Sequence, residues 1–368
     1  MLNIKTSRDS LLKPLQSVTG IVERRHTLPI LSNVLLEMVA EKAAFVATDL
    51  EIQIKAETQL ARSAPDGTLT LSAKKLQDIL RSLPDNVDIT LDEKNGRVTL
   101  KAGKSRFNLQ SLPAADFPRL TAGQDTPTAL EIPQNALRRL FHLTQFAMAV
   151  QDIRYYLNGL LLSVDGNSLR VVATDGHRLS YAAFAMTGTL PKLDVILPRK
   201  TVIELSKLLG ETDDPVHIAV RQNQVLFSFG GIEIVSKVVD GKFPDYTKVV
   251  PTHYAKKIAI DRVTLLQALQ RAAILSNEKI HGVRLVLTSN SLSLICSNNE
   301  QEEAEEELSV DYSGDALDIG FNITYLLDVL NHIEVDSVEL SFGDANSSAL
   351  LTIPGRDDFK YVVMPMRI

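Results

Sequence analysis

Apolar residues recur at helical spacing in six segments of the chain. In the first segment Leu11, Leu15 and Val18 form an i, i+4, i+7 stripe, which predicts an amphipathic helix. The six segments with such a stripe are 7–18, 72–84, 132–148, 198–210, 260–275 and 322–333. Between them lie alternating or β-branched runs such as "VTLKAG" and "LRVVATD", bounded by Asp, Gly and Asn. These runs indicate strands that are joined by short turns.

The order of these elements repeats three times. The segments "FVATDL" and "VVATDG" place Asp49 and Asp175 126 residues apart, and "LICSNN" places Asn298 a further 123 residues on. Each repeat reads helix, strands, helix, strands, and strands that follow one another closely favour antiparallel pairing. The sequence therefore predicts an α+β protein of three similar domains, with boundaries at 1–125, 126–254 and 255–368.

The composition is typical of a globular protein and limits its partners. Hydrophobic residues make up 45% of the chain, and no apolar run approaches the roughly 18 residues of a membrane span. The first residues lack a signal-peptide pattern, so we expect a cytoplasmic protein without membrane contact. A single cysteine, Cys296, excludes an internal disulfide and a cysteine-based zinc cluster. We predict neither a metal nor a cofactor.

Charge is distributed unevenly along the chain. The net charge of −6 argues against a surface coated with nucleic-acid-binding residues, but it leaves room for a small basic face. Lys75 and Arg81 lie outside the apolar stripe of the second predicted helix, and Arg199 and Lys200 open the fourth. Two interpretations stay open: solvated helix faces, or contact with a phosphate backbone. The sixth predicted helix carries no lysine or arginine, which weakens the second.

An acidic run stands in contrast to these helices. Residues 300–307 read "EQEEAEEE", and such runs are usually solvated. This one follows directly on a predicted strand, so we expect it to be ordered. An ordered anionic patch would fit a cationic patch on another copy of the chain, formed by Lys74, Lys75, Lys104 and Arg106.

One stretch, "VVATDGHRLS", contains the residue types of a hydrolase. Asp175, His177 and Ser180 could form a catalytic group only if the fold held them in mutual hydrogen-bond reach. The chain has no G-x-S-x-G elbow, no H-E-x-x-H and no glycine-rich phosphate loop. Because Asp49 repeats the aspartate without the histidine, a turn role is favoured over an enzyme.

The motifs resemble those of one family, the bacterial DNA polymerase III beta subunits or beta sliding clamps. They are spread in order over nearly the whole chain: "LLKPLQSVTG", "HTLPILSN", "LPAADFP", "QDIRYYLNG", "VATDGHRL", "LPRK", "VDGKFPDY", "RAAILSNEK", "EQEEAEEE", "YLLDVLN" and "VVMPMR". The resemblance implies a head-to-tail homodimer, closed into a ring around duplex DNA, that acts as a processivity factor without catalysis.

The resemblance also implies three sets of functional residues. The DNA-contacting candidates are Arg25, Arg81, Gln151, Arg154, Tyr155, Tyr156, Arg199 and Lys200. The candidates for the dimer interface are Phe107 against Ile274 and Leu275, and Lys75, Lys104 and Arg106 against Glu300, Glu302, Glu303 and Glu305. The candidates for a partner-peptide groove are Leu157, Thr174, Gly176, His177, Arg178, Leu179, Pro244, Val249, Asn322, Tyr325, Val362, Met364, Pro365, Met366 and Arg367.

The implied partners are double-stranded DNA, a second copy of the chain, and proteins that carry short, apolar-rich peptides. The family's partners of this kind are replicative and translesion polymerases, the clamp loader, and mismatch-repair and ligase-type proteins. Lys248 and Asn346 depart from the family's pattern beside the groove, so the preference among peptides is not predicted. The alternative that the sequence leaves open is a repeat-built interaction scaffold without a DNA role.

Overall fold

The computed structural model of the chain describes residues 2–23, 28–60, 65–121, 123 and 125–368. It confirms all six predicted helices, and short 3-10 turns extend the third and the fifth. The α-helices of these residues are α1 (Arg8–Thr19), α2 (Ala73–Ser82), α3 (Gln134–Thr144), α4 (Arg199–Leu208), α5 (Arg262–Ala272) and α6 (Ile323–His332).

The chain packs as two compact units. The first unit contains Met1–Asn135 and Ile203–Val238. Its strands are β1 (Leu2–Ser7), β2 (Asn33–Val39), β3 (Lys42–Thr48), β4 (Ile52–Gln59), β5 (Gly67–Ser72), β6 (Asp88–Lys94), β7 (Arg97–Ala102), β8 (Ser105–Gln110), β9 (Thr128–Pro133), β12 (Pro215–Val220), β13 (Gln224–Phe229) and β14 (Ile232–Lys237). They form a four-stranded sheet in the order β1-β6-β7-β8 and an eight-stranded sheet in the order β5-β2-β3-β4-β14-β13-β12-β9.

The second unit contains Ala136–Val202 and Val239–Ile368. Its strands are β10 (Gly159–Thr174), β11 (Arg178–Pro198), β15 (Lys256–Asp261), β16 (Gly282–Thr288), β17 (Ser291–Ser297), β18 (Glu303–Ser309), β19 (Leu317–Asn322), β20 (Ser337–Phe342), β21 (Ala349–Ile353) and β22 (Arg356–Val363). The sheet orders are β10-β11-β22-β21-β20-β15 and β18-β17-β16-β19. Every strand pair found in either unit is antiparallel, as the short connections predict.

Local chemistry explains where the helices begin. The Ser7 hydroxyl accepts from the backbone N–H of Ser10 and caps α1, while the Asp261 carboxylate accepts from Thr264 and caps α5. Leu11, Leu15 and Val18 are fully buried, so the apolar stripe of α1 is its packing face, as predicted.

The repeated turn is the clearest internal symmetry of the fold. Asp49 Oδ1 accepts from the backbone N–H of residues 51 and 52 at 2.9 Å, and Asp175 Oδ1 accepts from residues 177 and 178 at 2.9 and 3.0 Å. Asn298 Oδ1 accepts from the backbone N–H of Glu300 and Glu302 in a turn that is one residue longer. The predicted turn role of the aspartate is confirmed, and the asparagine of the third repeat performs it as well.

Candidate functional site

Two strand pairs join successive repeats, and they are equivalent. In the first unit β4, which follows the Asp49 turn, pairs with β14 from Ile52↔Ser236 to Ala56↔Ile232. In the second unit β11, which follows the Asp175 turn, pairs with β22 from Arg178↔Val363 to Ala182↔Phe359. We call the β4–β14 pair the first joint and the β11–β22 pair the second joint. The residues of the two joints correspond at offsets of 126 and 127.

The second joint carries an apolar cluster that reaches the surface. Leu179 and Val362 are directly opposite each other on β11 and β22, and both are buried. Around them pack four further buried side chains and six half-buried ones: Leu161, Val172, Ile196 and Phe243, and Tyr156, Tyr181, Val239, Tyr246, Val250 and Leu350. Half-buried rings and aliphatic groups above a buried floor form a surface that can bind apolar side chains.

The first joint has a smaller version of this cluster. Its buried members, each 126 residues before a member of the larger cluster, are Leu35, Val46 and Phe117. Gln53 stands where the second joint has Leu179, and Thr70 stands where it has Ile196. Gln53 Oε1 accepts from the backbone N–H of Leu120 at 3.0 Å, and Thr70 Oγ1 donates to the Leu112 carbonyl at 2.7 Å. Polar side chains bonded to the backbone thus occupy two positions of the first joint that are apolar in the second.

The Arg178 side chain connects the second joint to its own turn and to two other segments of the unit. Its guanidinium donates to the Asp175 carboxylate at 3.1 Å, to the Phe146 carbonyl at 2.9 Å and to the Asp328 carboxylate of α6. The guanidinium carbon also lies 4.4 Å from the centre of the Tyr325 ring, within the range of a cation–π contact. The corresponding residue of the first joint is Ile52, so this network belongs to the second joint alone.

The residues after β22 are bonded to the Asp175 turn and to β19. The Met364 N–H donates to the His177 carbonyl at 2.8 Å, and the Met366 N–H donates to Gly320 at 2.8 Å. Met364 remains 47% exposed and is therefore a flexible apolar side chain on the surface. Pro365 follows it half-buried, and Arg367 is exposed.

The remaining groove candidates also lie in the second unit. Pro244 and Val249 are exposed on the segment after Phe243, Leu157 is buried, and the Thr174 hydroxyl donates to the Arg178 carbonyl at 2.6 Å. Asn322 caps α6 by accepting from the Thr324 N–H. Gly176, at φ +90°, has the Arg154 guanidinium within 2.9 Å of where a Cβ would lie.

Four of the predicted DNA contacts lie on one loop beside this cluster. Gln151 has a φ of +56°, and Tyr155 is 57% exposed. Arg154 donates to both oxygens of Asp152, at 3.0 and 2.8 Å, and this hydrogen bonding lowers the pKa of Asp152 to about 2. Tyr156 packs against the apolar cluster, so its ring belongs to the groove side of the loop.

The other predicted DNA contacts lie on helices. Arg81 is exposed on α2 in the first unit. Arg199 is half-buried in the second unit, donates to the Met148 carbonyl at 3.2 Å, and has its pKa lowered by burial and by Arg178. Lys200 follows it, half-buried. Arg25, like Arg24, lies outside the described residues.

Some of the predicted interface residues lie on two edge strands, while Lys75 lies on α2 and Ile274 and Leu275 lie on the 3-10 turn after α5. Within the described residues β8, which contains Arg106 and Phe107, pairs only with β7, and β18 pairs only with β17. The predicted order of the acidic run is confirmed, because Glu303 and Glu305 lie on β18 with their side chains exposed. Ile274 is 78% exposed, and Leu275 beside it is half-buried. Lys75, Lys104, Glu300 and Glu302 are exposed as well.

The hydrolase-like residues are not arranged for catalysis. Ser180 is fully buried, and its hydroxyl donates to the Leu143 carbonyl at 2.6 Å. Asp175 is engaged by the turn and by Arg178, while His177 is exposed. Among the described residues no group of three or more His, Cys, Asp or Glu side chains could hold a metal ion. No helix in the described part of the chain is long and apolar enough to cross a membrane.

Several residues of the cluster were not predicted. Ile196, Tyr181 and Leu350 pack there, although no motif singled them out. For Leu161, Val172 and Phe243 the offset of 126 from buried residues of the first repeat was an available signal. Leu350 joins only through the pairing of β21 with β22, which spacing does not reveal.

The comparisons with known proteins agree with this architecture. Family descriptions of the DNA polymerase III beta subunit match in three consecutive parts: the N-terminal domain at residues 2–121, the central domain at 131–245 and the C-terminal domain at 247–367. The beta sliding clamp of Pseudomonas putida strain KT2440 is 48% identical, with 100% of both chains covered.

Solved structures show the same similarity. The crystal structure of the DNA polymerase III subunit beta from Pseudomonas aeruginosa superposes with a TM-score of 0.96 at 47% identity, with 100% of both chains covered. A second structure from that organism, a sliding clamp bound to griselimycin, gives the same TM-score, identity and coverage. The chain therefore belongs to the family of DNA polymerase III beta subunits, the beta sliding clamps.

Proposed function

We propose that this sliding clamp works as a homodimer that encircles duplex DNA and carries its partners on the apolar cluster of the second joint. The observation that carries the proposal is the strand joint, which the chain forms twice between its own repeats. In each joint, the strand after the Asp/Asn turn of one repeat pairs with the last strand of the next repeat.

The same rule predicts a third joint between two copies. The strand after the Asn298 turn is β18, and the last strand of the first repeat is β8; each is an edge strand in the described part of the chain. Pairing β18 of one copy with β8 of another would satisfy both edges, which otherwise expose backbone groups. Glu303 and Glu305 would then face Lys104 and Arg106, with Lys75, Glu300 and Glu302 nearby. Phe107 would cover Ile274 and Leu275.

The DNA contact would be electrostatic and independent of sequence. Arg81, Arg199 and Lys200 supply positive charge on helices of a chain whose net charge is −6, and such charges bind phosphates without reading bases. Arg25 and the loop residues Gln151, Arg154, Tyr155 and Tyr156 complete the proposed set. A closed ring holds DNA by topology, so a few contacts suffice and tight binding would hinder sliding.

The groove would bind short apolar peptides of DNA polymerases, the clamp loader, and mismatch-repair and ligase-type proteins. Leu179 and Val362 offer the floor, and Met364 offers an adaptable rim. Griselimycin on a clamp 47% identical supports a ligand site in this family. We place Lys248 and Asn346 at the edge of this surface, where they would influence the preference among peptides.

We further propose that the protein has no catalytic activity of its own and works in the cytoplasm at replication forks. The burial of Ser180 and its bond to the Leu143 carbonyl argue against a hydrolytic role for the "VVATDGHRLS" stretch. We keep 1–125, 126–254 and 255–368 as the domain boundaries. A hydrolytic activity that is lost in folded His177→Ala would contradict this proposal.

The test of the ring compares nicked circular DNA with the same DNA after linearisation. We expect the clamp to have the native mass of a dimer, to stay on the circle after loading, and to leave the linear form. Equal retention on both forms would contradict sliding. A matched pair of variants, Arg106→Glu and Arg97→Glu, separates the proposed interface from a neighbouring exposed arginine of the same sheet. Arg106→Glu should yield monomers, and Arg97→Glu should remain dimeric.

The alternative, a scaffold without a DNA role, has its own test. The double variant Arg199→Glu/Lys200→Glu should impair loading and polymerase processivity while the protein stays dimeric. If loading and processivity are unchanged, the scaffold is favoured.

A further inference from the structure

A trough with both polar and apolar side chains in its lining continues the apolar cluster of the second joint across the same sheet face. It has a volume of about 850 Å³. The segment Val250–Ala255 forms one wall, β15, β20 and β21 form the floor, and the turn before β22 forms the far end. Val250 and Leu350 belong to the cluster and to the trough alike, so the two surfaces share a border.

The strand register shows that the floor is continuous. Residues opposite one another on neighbouring strands point to the same face, and one such row runs Leu179, Val362, Leu350, Ser341, Lys257. The row begins in the apolar cluster and ends in the trough. Three strand spacings of about 4.8 Å separate Val362 from Lys257, or roughly 14 Å, which an extended chain covers with about four residues.

Ion pairs engage three charged side chains of the trough lining, whereas Lys360 and Asp357 have none within the described residues. Lys257 is bonded to Glu339 at 3.0 Å, and Arg356 is bonded to Asp358 at 2.9 Å. Lys360 has no ion pair with any residue that the structure describes; its ammonium group lies 5.7 Å from the centre of the Tyr181 ring. Asp357 stands at the rim, and by strand alternation it shares the face of the buried Phe359, away from Lys360.

We propose that the trough binds the polypeptide that flanks a partner's groove-binding peptide, and that it favours an acidic flank. The proposal rests on the proposed function of the groove. A chain that leaves the cluster over Leu350 would lie on Ser341 and Thr352 and bring a carboxylate to Lys360. An exposed ion pair of this kind contributes little energy by itself, but it would distinguish partners that share the same apolar motif.

The test uses fluorescein-labelled synthetic peptides and the full-length clamp. The short probe is a pentapeptide that contains two leucines and a phenylalanine. Two long probes add Gly-Asp-Asp-Asp at one end or the other, and matched probes carry Asn in place of Asp. We expect one acidic long probe to bind about threefold more tightly than the short probe, as one or two exposed ion pairs allow. Its asparagine counterpart should show no such gain.

Variants of the clamp test whether the gain in affinity for the acidic probe arises in the trough. Lys360→Gln should abolish it, while Lys94→Gln, the same charge change on an exposed lysine of β6, should preserve it. Glu339→Gln releases Lys257 and should raise the affinity for the acidic probe about twofold. Added salt should weaken this gain more than it weakens binding of the short probe.

Each contrary result overturns a different statement. Equal binding of all long and short probes, an equal gain with asparagine, or a gain that survives Lys360→Gln overturns the trough as an acidic-flank site. A change in oligomeric state in Lys360→Gln would assign this face to contact between copies and would overturn it as well. Failure of the short probe to bind would overturn the groove, and the trough with it.

Discussion

The first and second joints have the same backbone and different surfaces. Both contain five residue pairs in corresponding register, and both follow an Asp turn. In the first, Gln53 bonds to the backbone of Leu120. In the second, Leu179 occupies that position and the cluster opens to solvent. The two joints thus differ in a few side chains at equivalent positions, which are polar and bonded to the backbone in the first and apolar in the second.

Removal of the Arg178 side chain should have the largest effect. Arg178→Ala leaves the Asp175 and Asp328 carboxylates without their cation, and we expect the free energy of unfolding to fall by about 3 kcal/mol. The estimate is at the low end for such pairs because Asp328 remains 34% exposed. Chemical denaturation measures this loss of unfolding free energy. Arg284→Ala breaks an exposed pair with Asp318 in the same unit and should cost below about 1 kcal/mol. Equal losses in the two variants would contradict the network.

The variant Leu179→Gln gives the second joint the residue that the first joint has at the equivalent position, Gln53. This substitution puts an amide among the apolar side chains of the cluster, which should cost about 2 kcal/mol of unfolding free energy. Binding of the short probe should weaken about tenfold, as for a central apolar contact of an interface. Unchanged affinity for the probe would show that Leu179 is not part of the groove floor.

The reciprocal variant, Gln53→Leu, tests the first joint. It leaves the Leu120 N–H without its acceptor, and we expect a loss of about 1 kcal/mol in unfolding free energy. Binding of the short probe should not change, because the first joint is not the proposed groove. A second binding site in this variant, detected as a doubled stoichiometry, would mean that one side chain alone opens the joint.

The smallest effect concerns the loop of the second unit that contains Asp152 and Arg154. Side-chain and backbone hydrogen bonds from Arg154 lower the pKa of Asp152 from 3.8 to about 2. A lowered carboxyl pKa stabilises the folded loop above pH 3.8, and this contribution is lost as the pH falls through about 2. Carbon-13 NMR of the Asp152 carboxyl should therefore give a midpoint near 2. In Arg154→Ala it should return toward 3.8; a wild-type midpoint already at 3.8 would exclude the bond in solution.

The sequence predicted the elements and the repeat, because both depend on spacing along the chain. The stripe of Leu11, Leu15 and Val18 and the offset between Asp49 and Asp175 are local or periodic signals. The hydrogen bonds of Arg178 to other segments were not predicted, since its partners, Phe146 and Asp328, lie far from it in sequence. Nor does spacing indicate that Leu350 and Lys257 continue the row that begins at Leu179. That continuity depends on a strand order in which β22 lies beside β11.

The pairing of β11 with β22 has a mechanical consequence. Five residue pairs connect the strands, and an antiparallel ladder loaded along its length shares the force among all its bonds. Loaded across its length, the same ladder opens one pair at a time, beginning at an end. A peptide that packs on Leu179 and Val362 touches both strands and would have to be released before they separate. Occupancy of the groove should therefore slow amide hydrogen exchange along the seam between two repeats.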